Sequence, residues 1–134
     1  MNPTILAGIR HAYEAFNQGD IQAAVDSVPL DPNILWSEPE SFPGGGTYHG
    51  RQGVVEYLTQ SRNGSEQAWS RPEEITPVGN QVFVLVHFKA WPKGGGEPRE
   101  GYIADVYTVH DGKVVQMQAY ADPAEARKAL GLPY

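Results

Sequence analysis

Residues 81–91, QVFVLVHFKAW, form a strand-length run that is apolar on both faces and broken by neither Gly nor Pro. A strand of that kind must be covered on both sides, so it belongs in the middle of a layered fold and not at an exposed edge. The chain then turns through KGGGEPR and returns as GYIADVYTV, 101–109. It turns again at His110-Asp111-Gly112 and runs out as KVVQMQAY, 113–120. Two short turns between apolar-rich runs predict an antiparallel meander. Helices can supply one of the two covers; a second subunit on the outer sheet face can supply the other, which makes a homodimer the expectation.

The first half reads differently. Asn2-Pro3-Thr4 opens a helix in which Ile5, Ile9, Ala12, Tyr13 and Phe16 recur at helical spacing, and Gly19-Asp20 ends it. A second short helix carries Ile21, Ala24, Val25 and Val28 up to Pro29. A strand follows over 33–38, with Ile34, Trp36 and Glu38 on one side and Leu35 and Ser37 on the other. The stretch 39–49 reads as a loop, and a third helix, about 50–62, carries Val54, Tyr57 and Leu58. Residues 68–78 suit only an edge or bulged strand because of Pro72 and Pro77. Asp122-Pro123 starts a last short helix with Ala126 and Leu130 inward. Helices followed by antiparallel strands make the class α+β, and 134 residues predict a single domain over 1–134.

Composition removes several functions. A net charge of -6, with ten scattered basic residues, argues against a nucleic-acid backbone as partner. There is no cysteine, hence no thiolate chemistry or disulfide, and the four histidines lie far apart, with no metal-binding spacing. Neither glycine triplet is followed by Lys-Ser or Lys-Thr, and no GxGxxG or GxSxG occurs. No leader and no membrane-length apolar run is legible, so the expected location is the cytoplasm, away from membranes.

What is left is single ionisable residues on apolar strand faces. Glu38 ends its strand in phase with Trp36; if that face is inward, desolvation raises its pKa and makes it a better proton acceptor near neutrality. Asp105 sits mid-strand between Ile103 and Tyr107, where an acid is costly unless protonated, paired or functional. His87 lies in phase with Phe83 and Leu85. Each has a structural reading too: a solvated strand end, an ion-paired outer acid, a hydrogen-bonded core histidine. Tyr13 and Tyr120 can pack or donate hydrogen bonds, and Arg99 falls at the hairpin end.

The stretches AYEAFNQGDIQAAV, WSEP, YHGRQGVVEYL and ADVYTVHDGKVVQMQAY, taken in order, resemble the NTF2-like superfamily. Within it the chain looks most similar to the SnoaL-like and ketosteroid-isomerase-related group. The resemblance implies a cone of about three N-terminal helices packed on a strongly curved mixed or antiparallel sheet, with a central cavity, in proteins that are commonly homodimers. It places Glu38 where the isomerases have their general base, and Asp105 where they have a protonated acid donating to an oxyanion. Their oxyanion tyrosine aligns with Ala12, next to Tyr13. The same alignment turns Phe83, Leu85 and His87 toward the cavity, with Met117 and Ala119 on the inner side of the last strand. The implied function is a cofactor-independent enzyme moving protons on an apolar carbonyl compound, as an isomerase, aldol cyclase or dehydratase. Glu38, Asp105 and His87 would be catalytic, and Tyr13, Phe16, Trp36, Phe83, Leu85, Tyr107, Met117 and Ala119 would contact the substrate. The alternative is a non-catalytic ligand-binding or dimerisation module, which the same fold also serves.

Overall fold

The computed structural model describes residues 2–133. Its elements are α1 (Pro3–Asn17), α2 (Ile21–Asp26), β1 (Leu30–Glu38), β2 (Gly46–His49), α3 (Gly50–Asn63), β3 (Ser65–Val78), β4 (Gln81–Pro92), β5 (Arg99–His110), β6 (Lys113–Tyr120) and α4 (Pro123–Leu130). The fold is α+β, with helices packed on one curved, open sheet of strand order β2-β1-β6-β5-β4-β3. All neighbours are antiparallel except β1 and β6, which run parallel. After β1 and β2 the chain crosses through α3 to the far edge, and the meander β3 to β6 runs back across the sheet until its last strand lies beside β1.

Local chemistry sets the helix ends. The Asn2 side chain accepts from the Thr4 N–H at 2.8 Å and Asp20 caps α2 through the Ala23 N–H at 3.0 Å, each satisfying a donor the helix cannot pair itself. At the other end of α1, the Asn17 side chain donates to the Ser70 carbonyl at 2.8 Å and accepts from the Ser70 N–H at 2.7 Å. This pair of bonds fastens the helix to the edge strand β3.

The inner core joins Ile5, Ile9 and Tyr13 of α1 and Val54 and Tyr57 of α3 to Val82, Val84, Val86, Tyr107, Met117 and Ala119 on the sheet. The second cover of β4 comes from the same chain. Phe83, Ala104, Val106 and Ala126 pack together on the outer face, with Leu85 and Leu130 beside them. Arg127 of α4 reaches Glu74 at 2.8 Å and lies over the Phe83 ring at 4.5 Å, and the guanidinium holds the Glu74 carboxyl below its usual pKa.

Two stretches extend beyond the sequence expectation. Residues 46–49, read as loop, add a short strand along β1, pairing Trp36 with Tyr48 and Glu38 with Gly46. The edge strand β3 starts at Ser65, and Pro72 is accommodated where its register shifts between Pro72 and Glu74. Between β1 and β2, Gly45 passes so close to Pro39 that a Cβ would lie 2.1 Å from the Pro39 carbonyl oxygen. Only glycine permits that compact loop.

Candidate active site

Between the inner sheet face and the helices lies a cavity of about 450 Å³. Its apolar walls include Phe16, Val25, Trp36, Val54, Leu58 and Ile103, and one end carries Tyr13, Glu38, Tyr57, Asp105 and Tyr107. The rim is formed in part by Phe42, Pro43 and Gly44 of the loop that follows β1.

Strand register explains why the two acids converge. Asp105 pairs with Ala119, Tyr107 with Met117, and Met117 in turn with Trp36. Continuing the parallel register two residues past Trp36 brings Glu38 beside Ala119. The acids therefore stand on strands two spacings apart, about 10 Å between backbones, with only the Ala119 methyl between them. A larger side chain there would fill the gap.

Both carboxyls are buried, Glu38 at 9% exposure and Asp105 at 8%. The Tyr13 hydroxyl donates to Asp105 Oδ2 at 2.5 Å and lies 2.9 Å from the Tyr107 hydroxyl. Across Ala119, Trp36 Nε1 donates to Glu38 Oε2 at 2.7 Å, with the Tyr57 hydroxyl alongside the same carboxyl. Burial is the largest influence on both acids and raises both pKa values; the nearby Asp105 charge raises Glu38 further, while the donors from Trp36 and Tyr57 on Glu38 and from Tyr13 on Asp105 pull the other way. The two lose their protons one after the other, and between about 6 and about 8 they hold one proton between them. Burial, followed by the neighbouring acids, drives the phenols of Tyr13, Tyr57 and Tyr107 above the ordinary tyrosine value, so they remain proton donors.

Tyr13, Phe16, Trp36, Glu38, Asp105 and Tyr107 all border the cavity. Ala12 borders it as well, but it is the neighbouring Tyr13 that reaches Asp105. Met117 and Ala119 belong to the inner core, beneath the cavity and not among the residues that border it.

The expectation that Phe83, Leu85 and His87 of β4 face the cavity needs correction. Val84 pairs with Asp105 and Val86 with Ile103, and directly opposed residues share a face, so Val82, Val84 and Val86 are inward. Phe83 and Leu85 face outward under α4. His87 is outward too, stacked on Tyr102 at 4.7 Å, edge-on to Trp69 at 5.0 Å, and 2.9 Å from Glu100. It takes no place beside the acids. Alternation cannot phase a strand that is apolar on both sides; its neighbour's register does.

Tyr57 was legible only as a helix-face residue, in phase with Val54; nothing local to α3 announces its approach to Glu38. Arg99, at the hairpin end in the sequence, is the first residue of β5, shares the phase of Asp105 and borders the cavity.

Residues 9–117 match the sequence model of the SnoaL-like domain. The chain belongs to the SnoaL-like family. Among solved structures, it is similar to an NTF2-like protein of unknown function from Burkholderia pseudomallei, at 22% identity over 97% of this chain and 98% of that one, with a TM-score of 0.77. A protein from Catenulispora acidiphila with a ketosteroid isomerase-like fold, crystallised with trimethylamine, matches at 15% identity over 99% and 96% of the two chains, with a TM-score of 0.73. A polyketide cyclase-like protein from Sinorhizobium meliloti matches at 14% identity over 88% and 94%, with a TM-score of 0.68. No curated protein matches the sequence. At these identities the likeness establishes the SnoaL-like, NTF2-like fold and not the reaction.

Proposed function

We propose that this SnoaL-like protein is a cofactor-independent enzyme that transfers protons next to the carbonyl group of an apolar compound, in an isomerisation, aldol cyclisation or dehydration. The observation that carries this reading is the pair of buried acids, Glu38 and Asp105, facing one apolar cavity and each held by its own aromatic donor. Hydroxyls converge on the Asp105 side, where Tyr107, Tyr13 and Asp105 form a chain. A carbonyl oxygen docked at that corner attracts O–H donors, which draws the shared proton onto Asp105 and leaves the charge on Glu38. Glu38 then removes a proton from the adjacent carbon, and Asp105 and Tyr13 stabilise the enolate oxygen. The proton now on Glu38 goes to a different carbon of the conjugated enolate in an isomerisation, to a departing β-hydroxyl as its C–O bond breaks in a dehydration, or to the alkoxide formed when the enolate carbon attacks a second carbonyl in a cyclisation.

The fold likeness to ketosteroid isomerase-like and cyclase-like proteins supports the same reading. The reading includes a homodimer through the outer sheet face, where Tyr102 is 51% exposed beyond the cover of α4; a monomer mass by light scattering would remove that element. The chemistry is tested by deuterium uptake from D2O into the α-carbons of aromatic ketones, followed by NMR. The wild-type protein should accelerate uptake, and Glu38→Gln should lose about 10²–10⁴-fold of that rate while keeping its fold. Ketone binding without any uptake would favour a binding module instead.

A further inference from the structure

The charged residues bordering the cavity are segregated. Glu38 and Asp105 sit at the buried end, while Lys89 and Arg99 also border it, contributed by the ends of β4 and β5 next to the hairpin. This runs against the chain as a whole, in which 16 acidic residues outnumber 10 basic ones. Arg99 lies six residues before Asp105 on one strand and in the same phase, about 20 Å away along the backbone. The residue in phase between them on the hairpin side is Gly101, which has no side chain; the Phe88 ring lies 3.5 Å from where its Cβ would be. The wall from Asp105 to Arg99 is thus Ile103, then a flat aromatic face, with nothing polar between.

Lys89 is partly engaged, 3.7 Å from Glu100 and 4.9 Å from the centre of the Trp91 ring. Arg99 is exposed and has no ion pair among the described residues. A guanidinium at the mouth of an apolar cavity, on a protein of net charge -6, makes the mouth locally attractive to an anion that the rest of the surface repels. Guanidinium also matches carboxylate in a two-point fork.

Resting on the reading above, we infer that the substrate is an amphipathic carbonyl compound bearing a carboxylate at the end remote from the reacting carbon. Its ketone end lies between Glu38, Asp105 and Tyr13, its ring body against Ile103 and Phe88, and its carboxylate at Arg99. The cation fixes which end enters first, since the opposite orientation would bury a carboxylate against two acids.

The test compares three matched probes: 6-acetyl-2-naphthoic acid, its methyl ester, and 2-acetylnaphthalene. Binding is read from the fluorescence of the cavity tryptophan Trp36, and acetyl deuterium uptake is followed in parallel. The acid should bind wild-type protein at least about tenfold tighter than the other two, equivalent to about 1.4 kcal/mol. Arg99→Gln should abolish that preference, so that acid and methyl ester bind alike. Raising the salt concentration should shrink the preference. Equal binding of acid and ester with normal deuterium uptake overturns this inference and leaves the proton-transfer reading standing. Preference for the acid without uptake of deuterium from any probe supports the inference about the ligand and removes the chemistry. If adenosine 3′,5′-bisphosphate competes at the mouth while acid and ester bind alike, the cation serves the phosphate of a carrier and the proposal fails. Failure of all three probes to bind overturns both.

Discussion

The Tyr13 hydroxyl and the Asp105 carboxyl, 92 residues apart in sequence, meet at 2.5 Å inside the cavity. Neither could be buried cheaply alone. The phenol needs an acceptor and the acid needs either a proton or a donor. Joined to Tyr107, they form a ready-made set of O–H groups at the point where a carbonyl oxygen would gain charge.

Removing that donor is the first prediction. Tyr13→Phe keeps the ring and loses the hydroxyl, so turnover should fall by about 10²–10³, as for loss of one oxyanion donor. It also strips Tyr107 of its partner, which should cost about 1–3 kcal/mol of stability. Steady-state kinetics and thermal unfolding check the two effects separately; unaltered turnover would take Tyr13 out of the mechanism.

Turnover should depend on pH in a bell. The active form holds one proton between Glu38 and Asp105, so kcat/KM should rise through about 6 and fall through about 8. An ordinary glutamate would place the acidic limb near ~4.3. Stability carries the opposite sign to the usual carboxylate. Both folded-state values lie above the unfolded ones, so the contribution is complete below the unfolded pKa and is lost as pH climbs through the folded values. The melting temperature should therefore decline from mildly acidic pH toward about 8, and the double variant Glu38→Gln/Asp105→Asn should flatten the decline. A wild-type curve already flat over that span would mean the acids are not held as described.

Ala119 is predicted to act as a spacer. It is 2% exposed and occupies the row between the two acids. Ala119→Val inserts two carbons into that gap, an overpacking that costs about 1–3 kcal/mol, and it pushes the carboxyls apart. The two limbs of the pH profile should draw closer together as the acids cease to sense one another. Lost stability with an unaltered profile would make the residue mere packing.

His87 provides the contrast. It faces the outer side, between Glu73 and Glu100, and stacks on Tyr102. His87→Ala should leave turnover on a ketone within about twofold, a barrier change near ~0.4 kcal/mol. A hundredfold loss would show that the histidine reaches the reacting centre after all.

Much of this was written in local pattern. On β1 the period of two groups Ile34, Trp36 and Glu38 on one side, but residues 34–36 are all apolar, so burial of that side, with Leu35 outward, comes from the fold. On β5, Ile103, Asp105 and Tyr107 share one phase by the same period, and the fold turns that phase toward the cavity. Helix starts were legible because Asn2, Asp20 and Asp122 are capping residues with a fixed geometric task. The short strand β2 was not, since GTYH has little strand character of its own and forms by pairing with the edge of β1.

The amino-acid sequence by itself determined the α+β order, the helix boundaries and the two acids worth watching, because each of those depends on residues near one another along the chain. Tertiary structure alone decided which side of β4 faces the cavity, since Val82, Val84 and Val86 are as apolar as Phe83 and Leu85 and only pairing with Asp105 and Ile103 breaks the tie. It also decided that Tyr13 meets Asp105, that Tyr57 approaches Glu38, and that Arg99 stands in line with the acids. Those relationships depend on strand register and helix packing, which act across the sheet and leave no mark in any single window of sequence.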